Sequence, residues 1–250
     1  MLTVGADGRF SRVRELAGLK STRSAYPIDL LWFRLPTAPL DSDRDGGLYI
    51  GDTGAAYLRN RGQEWEIGYW LPKGGYQRLR SAGIQELRAA VDRLLPWLAD
   101  RTPHLSDWRQ TSLLSVESRR VRRWYRPGLL LIGDAAHVMS PVGGVGINLA
   151  IQDAIVAANV LGPRLGAGRL RVQDLAAVQR RREASTRLVQ VLQDLAFQTM
   201  LGSTADRRLR LVAGLVERMT TTRDLRARIF AFGGLWPERV AAGPTHVATP

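Results

Sequence analysis

Apolar and polar positions alternate with period two through the first third of the chain and then shift to helical spacing. Leu2 to Val4 is a short apolar run entering Gly5-Ala6-Asp7-Gly8, the pattern of a strand running into a tight turn. Ser11 to Leu19 predicts a short helix stopped by Gly18. Between Ile28 and Leu35, Leu31, Phe33 and Leu35 share one face. Leu48–Gly51 and Ala55–Arg61 pair around Asp52-Thr53-Gly54, and Arg61-Gly62-Gln63 suits a hairpin turn. From Glu64 to Leu71, Trp65, Ile67, Tyr69 and Leu71 alternate with Glu64, Glu66 and Gly68. Residues 28–71 therefore read as an antiparallel sheet. Helical spacing of Ile84, Leu87, Val91, Leu94 and Leu95 predicts a helix over Ile84–Leu98. A strand at Leu113–Val121 and a turn at Arg126-Pro127-Gly128 follow. Leu129 to Ile132 is a continuous apolar run, as in a strand buried on both faces. A helix is expected from about Gly144 to Leu161. After Pro163 the chain reads as helical to about Phe232, with stripes Leu188-Leu192-Leu195-Thr199 and Leu211-Leu215-Met219, before a proline-bearing tail.

Composition narrows the function classes. The 250 residues are 45% hydrophobic and contain no cysteine, which excludes disulfides, thiolate metal sites and a cysteine nucleophile. His104, His137 and His246 are scattered, so no metal centre is expected. No apolar run reaches the roughly 18 residues of a membrane span, and the N-terminus lacks a signal-peptide pattern, so a cytoplasmic protein is the default. The formal charge is +13, with 34 arginines and only Lys20 and Lys73 as lysines. Between Arg164 and Arg228, 14 arginines face six acidic residues, but Phe197 is the only aromatic there for base stacking. A solvated helical face is expected there, and nucleic acid is not an expected partner.

The chemistry concentrates in Leu129-Leu-Leu-Ile-Gly-Asp-Ala-Ala-His137, Pro141-Val-Gly-Gly-Val-Gly-Ile-Asn148 and Asp153-Ala154. Asp134 stands at the carboxyl end of a buried strand, where open α/β sheets bind ligands. Its carboxylate can accept hydrogen bonds from ligand hydroxyls. The glycines that follow let backbone approach a flat or charged group, and the start of the next helix offers free N–H groups. Asn148 is placed to tie the loop down.

These residues resemble the second FAD signature of the flavoprotein monooxygenases related to p-hydroxybenzoate hydroxylase. The match comprises Gly133, Asp134, Ala135, Ala136, His137, Pro141, Gly144, Gly146, Asn148, Asp153 and Ala154. A second stretch, Asp7-Gly8-Arg-Phe-Ser11-Arg-Val-Arg14, is similar to that family's Asp-Gly motif. The resemblance implies that Asp134 holds the ribityl chain of FAD. Gly133, Pro141, Gly143, Gly144, Val145, Gly146, Ile147 and Asn148 would line the flavin, and Asp7, Gly8 and Arg14 would lie beside the pyrophosphate. It further implies a monooxygenase in which NAD(P)H reduces FAD and oxygen is used to hydroxylate a small organic substrate. No catalytic residue is assigned. His137 is expected to be structural, and Trp65, Tyr69 and Trp70 to be sheet core, with Tyr69 a candidate for the pocket wall. Lys73-Gly74-Gly75 is expected to be a solvated turn.

The implied fold is α/β with α+β mixing: an incomplete FAD-binding, Rossmann-like domain with an inserted antiparallel substrate domain and C-terminal helices. The expected boundaries are 1–20 and 123–165 for the FAD-domain segments, 21–122 for the substrate domain, 166–232 for the helices and 233–250 for a loose tail. No Gly-x-Gly-x-x-Gly occurs in the chain, which is expected to lack the family's first βαβ unit. A separate N-terminal chain or a second copy is the expected partner. The competing expectations are a non-catalytic remnant, a flavin oxidoreductase without oxygen transfer and, last, a basic nucleic-acid-binding module.

Overall fold

The computed structural model describes residues 1–41, 44, 46–52, 54–200 and 237–241. In chain order the elements are β1 (Thr3–Gly5), α1 (Arg12–Leu16), β2 (Ser21–Pro36), β3 (Gly47–Gly51), β4 (Gly54–Asn60), β5 (Glu64–Pro72), α2 (Tyr76–Ala82), α3 (Ile84–Leu94), β6 (Ser112–Val121), β7 (Tyr125–Arg126), β8 (Leu129–Leu131), β9 (His137–Val138), α4 (Gly146–Gly166) and α5 (Val172–Met200). They form two units: Met1–Ser24 with Glu117–Pro250, and Ala25–Val116. The chain passes between them along β2 and β6. The fold is mixed α/β, with an antiparallel sheet and helices.

In the unit Ala25–Val116 the strand order is β3-β4-β5-β2-β6. The β2–β5 register sets Leu31 opposite Tyr69, Phe33 opposite Ile67 and Leu35 opposite Trp65. All six belong to the buried core, with Leu58 of β4 and Leu87 and Val91 of α3. Period two thus becomes one apolar face, which α3 covers. The β4–β5 hairpin closes over Arg61–Gln63: Arg61 N–H donates to Glu64 O at 2.9 Å, and Gly62 N–H to Asn60 Oδ1 at 2.8 Å. The helix expected over Ile84–Leu98 stops at Leu94. Pro96 explains this, because the residue before a proline is pushed out of the helical region, and Leu95 lies at φ −131°, ψ 68°. Lys73 also departs from expectation. Its Nζ donates to Asp29 Oδ1 at 2.8 Å, Ser115 Oγ at 2.9 Å and the Val116 carbonyl at 3.0 Å, so the turn is tied rather than solvated.

This unit carries a buried carboxylate whose ionisation couples to stability. Asp41 accepts from Trp65 Nε1 at 2.8 Å and Ala38 N–H at 2.9 Å, and pairs with Arg101. Burial alone would raise its pKa, but the Ala38 and Trp65 donors and the Arg101 charge hold it below the usual carboxylate value. A carboxyl with a depressed folded pKa contributes stability above its unfolded pKa, which disappears as pH falls through the folded value. The unit should therefore lose stability below about pH 4. Trp65 and Trp97 lie 5.4 Å apart beside this group, so tryptophan fluorescence in denaturant titrations at stepped pH reads the loss. The Asp41→Asn variant should show a shallower acid dependence; an identical slope would refute the assignment.

In the other unit, β1 pairs in parallel with β8, Gly5 opposite Leu131, and β7 flanks β8 on its other side. Gly5 is required there, because a Cβ would lie 2.7 Å from Leu131 Cδ2 and 2.9 Å from Val13 Cγ1. The end of β6 pairs with β9, Arg119 opposite Val138. Helix α4 begins at Gly146 rather than Gly144 and continues through Pro163 to Gly166. In the last turn a proline removes a single ladder bond, and Ala167 N–H still reaches Pro163 O at 3.3 Å.

Helix α5 differs most from its expected pattern. Of the expected stripe, Leu188 is exposed, Leu192 packs beside Val189, Leu195 is buried, and the Thr199 side chain lies outside the described residues. Beside the buried Leu175, Val178, Val189 and Phe197, the inward face also carries Gln179, Arg182, Thr186, Gln190 and Gln193, all buried. The three glutamines satisfy backbone groups. Gln179 accepts from Trp124 N–H at 2.9 Å, Gln190 donates to the Arg119 and Val138 carbonyls, and Gln193 donates to Ser140 O. The expected solvated arginine face holds for Arg180, Arg181 and Arg187 but not for Arg182. The Leu211-Leu215-Met219 stripe lies outside the described residues. Within the expected loose tail, Asn159 of α4 bonds Arg239 O at 2.7 Å and Ala241 N–H at 2.9 Å, and Arg181 grips Glu238.

Candidate functional site

The two sequence motifs meet inside the unit that contains β1, β8, α4 and α5. After β1 the chain turns at Asp7-Gly8. The Asp7 carboxylate accepts from Ser11 Oγ at 2.6 Å and from the Arg12 and Val13 N–H groups at 2.7 and 3.0 Å. Ser11 in turn caps α1 by accepting from Arg14 N–H at 2.9 Å. Burial pushes the Asp7 pKa up, yet the Ser11 hydroxyl and these N–H groups hold it below the ordinary value. The Asp7 side chain thus serves the turn and α1.

Arg14 links this turn to the other motif. Its buried guanidinium donates to the carbonyls of Ala135 at 3.0 Å, Asp134 at 3.4 Å and Arg9 at 2.9 Å. Burial and then the Arg119 charge lower its pKa from the usual arginine value. An open cleft of about 370 Å³ borders the same residues, lined by Arg9, Phe10, Ser11, Arg14 and Arg119 among others.

Strand β8 ends at Leu131, and Gly133–Ala135 form a single helical turn. Gly133 sits at φ +58°, and a Cβ there would come within 3.0 Å of Ala150 Cβ on α4. The turn puts Asp134 beside the start of α4: a Cβ built on Gly146 would lie 3.9 Å from Asp134 Oδ1. Among the described residues no hydrogen-bond partner meets the Asp134 carboxylate. Burial raises its pKa, and the charges of His137 and Arg9 offset only part of that rise. A half-buried carboxylate without a protein donor has acceptor capacity that nothing in this unit uses.

The loop between β9 and α4 supplies the rest. Pro141 is half-buried, and Gly143 and Gly144 are exposed with φ of +78° and +63°. Val145, the residue before α4, supplies no side-chain cap to the positive end of the helix. Gly146 is half-buried beside Asp134, Asn148 is half-buried, and Ile147 is exposed. Val145 is different: it is fully buried with Met139, Leu149 and Val189, so its side chain anchors the loop.

Beneath this turn lies a group of which the sequence motif contained Asp153 and His137, the latter expected to be structural, but gave Asp153 no role and did not reach Arg182. Asp153 of α4 is fully buried and accepts from Gly133 N–H at 2.9 Å, His137 Nε2 at 2.6 Å and Arg182 Nε at 2.8 Å. Burial would raise its pKa, but the His137 and Arg182 contacts hold it below the ordinary value. Because Asp153 is ionised, His137 Nε2 carries the proton. The Trp124 ring lies 4.9 Å from the imidazole, and His137 is 1% exposed, so no ligand reaches it. Tyr69 likewise belongs to the core of the sheet unit. Among the described residues no set of acidic or histidine side chains is grouped to hold a metal ion, and no helix is long and apolar enough to cross a membrane.

Comparisons with known proteins place the chain in a family. The 6-methylpretetramide 4-monooxygenase of Streptomyces rimosus is 39% identical over 206 residues, covering 80% of this chain and 48% of that protein. The FAD-dependent monooxygenase penM of Penicillium crustosum is 40% identical over 182 residues, covering 66% of this chain and 38% of its own length. Among solved structures, PqsL of P. aeruginosa in complex with 2-aminobenzoylacetate superposes with a TM-score of 0.66 at 25% identity, covering 83% of this chain and 57% of PqsL. The chain thus spans about half the length, or less, of the curated relatives it matches. Residues 1–217 match the FAD binding domain family, and on that match this chain belongs to the family.

Proposed function

We propose that this chain is the flavin-holding portion of an FAD-dependent monooxygenase that uses NAD(P)H and oxygen to hydroxylate a small organic substrate. The carrying observation is the Asp134 carboxylate, half-buried, without a donor and set beside the uncapped N-terminus of α4. The residues present fit a flavin. Asp134 would accept from ribityl hydroxyls. The backbone of Gly143, Gly144 and Gly146 and the positive end of α4 suit the electron-rich edge of the ring. The arginine-lined cleft at Arg9, Arg14 and Arg119 suits an anionic dinucleotide portion. When bound, the flavin would supply the redox and oxygen chemistry that no side chain here can supply. The unit Ala25–Val116 is the proposed substrate domain.

The test is an FAD titration of the full chain followed by visible absorbance. Asp134→Ala should weaken binding by about 10- to 100-fold, the usual weight of one hydrogen bond to a charged group. Equal affinity in the two proteins would remove Asp134 from the site. A mutant that binds no FAD at any accessible concentration would also support the assignment, provided the wild type binds.

A further inference from the structure

The side chains of Asp153, His137 and Arg182 lie outside every contact proposed for the flavin, yet they hold the turn from which Asp134 projects. Asp153 Oδ2 accepts the Gly133 N–H at 2.9 Å, one residue before Asp134, and is shared with His137 Nε2 at 2.6 Å. Oδ1 is held by Arg182 Nε at 2.8 Å. Arg182 comes from α5, 29 residues beyond Asp153 and remote in sequence from either motif. It is 2% exposed, and its Nη2 has no partner among the described residues. A buried arginine that spends Nε on one carboxylate oxygen and leaves Nη2 unused is poorly employed for stability. It fixes one thing well, the plane of the Asp153 carboxylate, and with it which oxygen faces Gly133.

We propose that Arg182 is a positioning residue for flavin binding: it orients Asp153, which pins the Gly133 turn and so sets where the Asp134 carboxylate stands. His137 takes the second position on Oδ2 and keeps the carboxylate from rotating. The chain of contacts is continuous: Arg182 Nε, Asp153 Oδ1 and Oδ2, Gly133 N–H, then the Asp134 backbone, whose carbonyl accepts from Arg14. Gly133 is the weak point of that turn, since φ +58° is held by its surroundings and not by a side chain of its own. Loss of its N–H acceptor frees the peptide that aims Asp134.

Two measurements on the full chain test this, one independent of any cofactor. The first is amide hydrogen exchange in Arg182→Gln, with Arg182→Lys as the variant that keeps the charge. Positioning predicts that Gly133 exchanges at least about tenfold faster relative to Leu130 and Leu131, whose β8 bonds are untouched. Uniform acceleration along β8 would mean that Arg182 acts only on global stability, and would overturn the proposal. The second is a double-mutant cycle on FAD affinity, which rests on the reading of Asp134 as the flavin carboxylate. Arg182→Gln should raise the dissociation constant about tenfold alone and by less than about twofold in an Asp134→Ala background. Equal effects in both backgrounds would show that Arg182 does not act through Asp134. If wild type and Asp134→Ala bind FAD alike, the flavin assignment falls, while the exchange pattern still decides whether Arg182 sets the turn.

Discussion

Replacing Asp153 by alanine is expected to lower the thermal midpoint of the unit containing α4 and α5 by roughly 10 °C. Three donors converge on this one carboxylate: Gly133 N–H, His137 Nε2 and Arg182 Nε. Alanine leaves all three without an acceptor and leaves the Arg182 charge buried without a counter-ion. Breaking a buried pair by removing one partner costs about 3–5 kcal/mol, and each kcal/mol shifts the midpoint of a domain this size by about 2–4 °C. Asp153→Asn should cost less, because an amide oxygen still accepts from Gly133. The exposed pair Arg187–Glu183 on the same helix is the control, since such pairs are worth roughly 0.3–0.5 kcal/mol. Circular dichroism melts of the three variants decide the matter. A midpoint for Asp153→Ala within about 2 °C of wild type would mean that the cluster carries little stability. The pH dependence has the same sign as for Asp41. The depressed Asp153 pKa makes its contribution complete above the ordinary carboxylate range and lost as pH falls below it.

The elements legible in the sequence are those whose signal is local. In β5 one face packs on a core and the other does not, so period two survives in Trp65, Ile67, Tyr69 and Leu71. The strand Leu129–Leu131, its Gly-Asp turn and the glycine loop were readable for a similar reason, as left-handed backbone at Gly133, Gly143 and Gly144 demands glycine. Arg182 was not readable. It is the last of three consecutive arginines, and whether such a residue faces water or a carboxylate is set by a partner 29 positions away. The glutamines of α5 were hidden differently. Gln179, Arg182, Thr186, Gln190 and Gln193 recur at the three- and four-residue intervals of a core stripe, but a search for apolar periodicity passes over polar residues. Reading that interval without regard to polarity would have marked the inner face of α5. Side-chain direction within the glycine loop was not legible either: Val145 sits amid these glycines, and its side chain turns to Met139, Leu149 and Val189.

Arg14→Met is expected to cost about 3 kcal/mol and to be repaired only weakly by Arg14→Lys. The two motifs are separated by 120 residues, and the Arg14 guanidinium is the side chain that bonds across that gap, to the Asp134 and Ala135 carbonyls. A third bond holds Arg9 O at 2.9 Å. Methionine fills a similar volume and keeps the packing of the aliphatic stem, so the loss reports the hydrogen bonds. Bonds to a charged donor are worth about 1.5–3 kcal/mol each, and the longest of the three, at 3.4 Å, contributes least. Lysine keeps the charge, but its single ammonium cannot reproduce the fork that reaches carbonyls on both the Asp-Gly and Gly-Asp turns. Denaturant unfolding of wild type, Arg14→Lys and Arg14→Met, compared at constant slope, separates these cases. If lysine restores most of the stability, charge rather than fork geometry holds the motifs together. If neither variant moves the midpoint, the two turns are joined by β1–β8 pairing alone. The expected order, wild type well above lysine and lysine slightly above methionine, would identify Arg14 as the clasp that makes one site from two distant motifs.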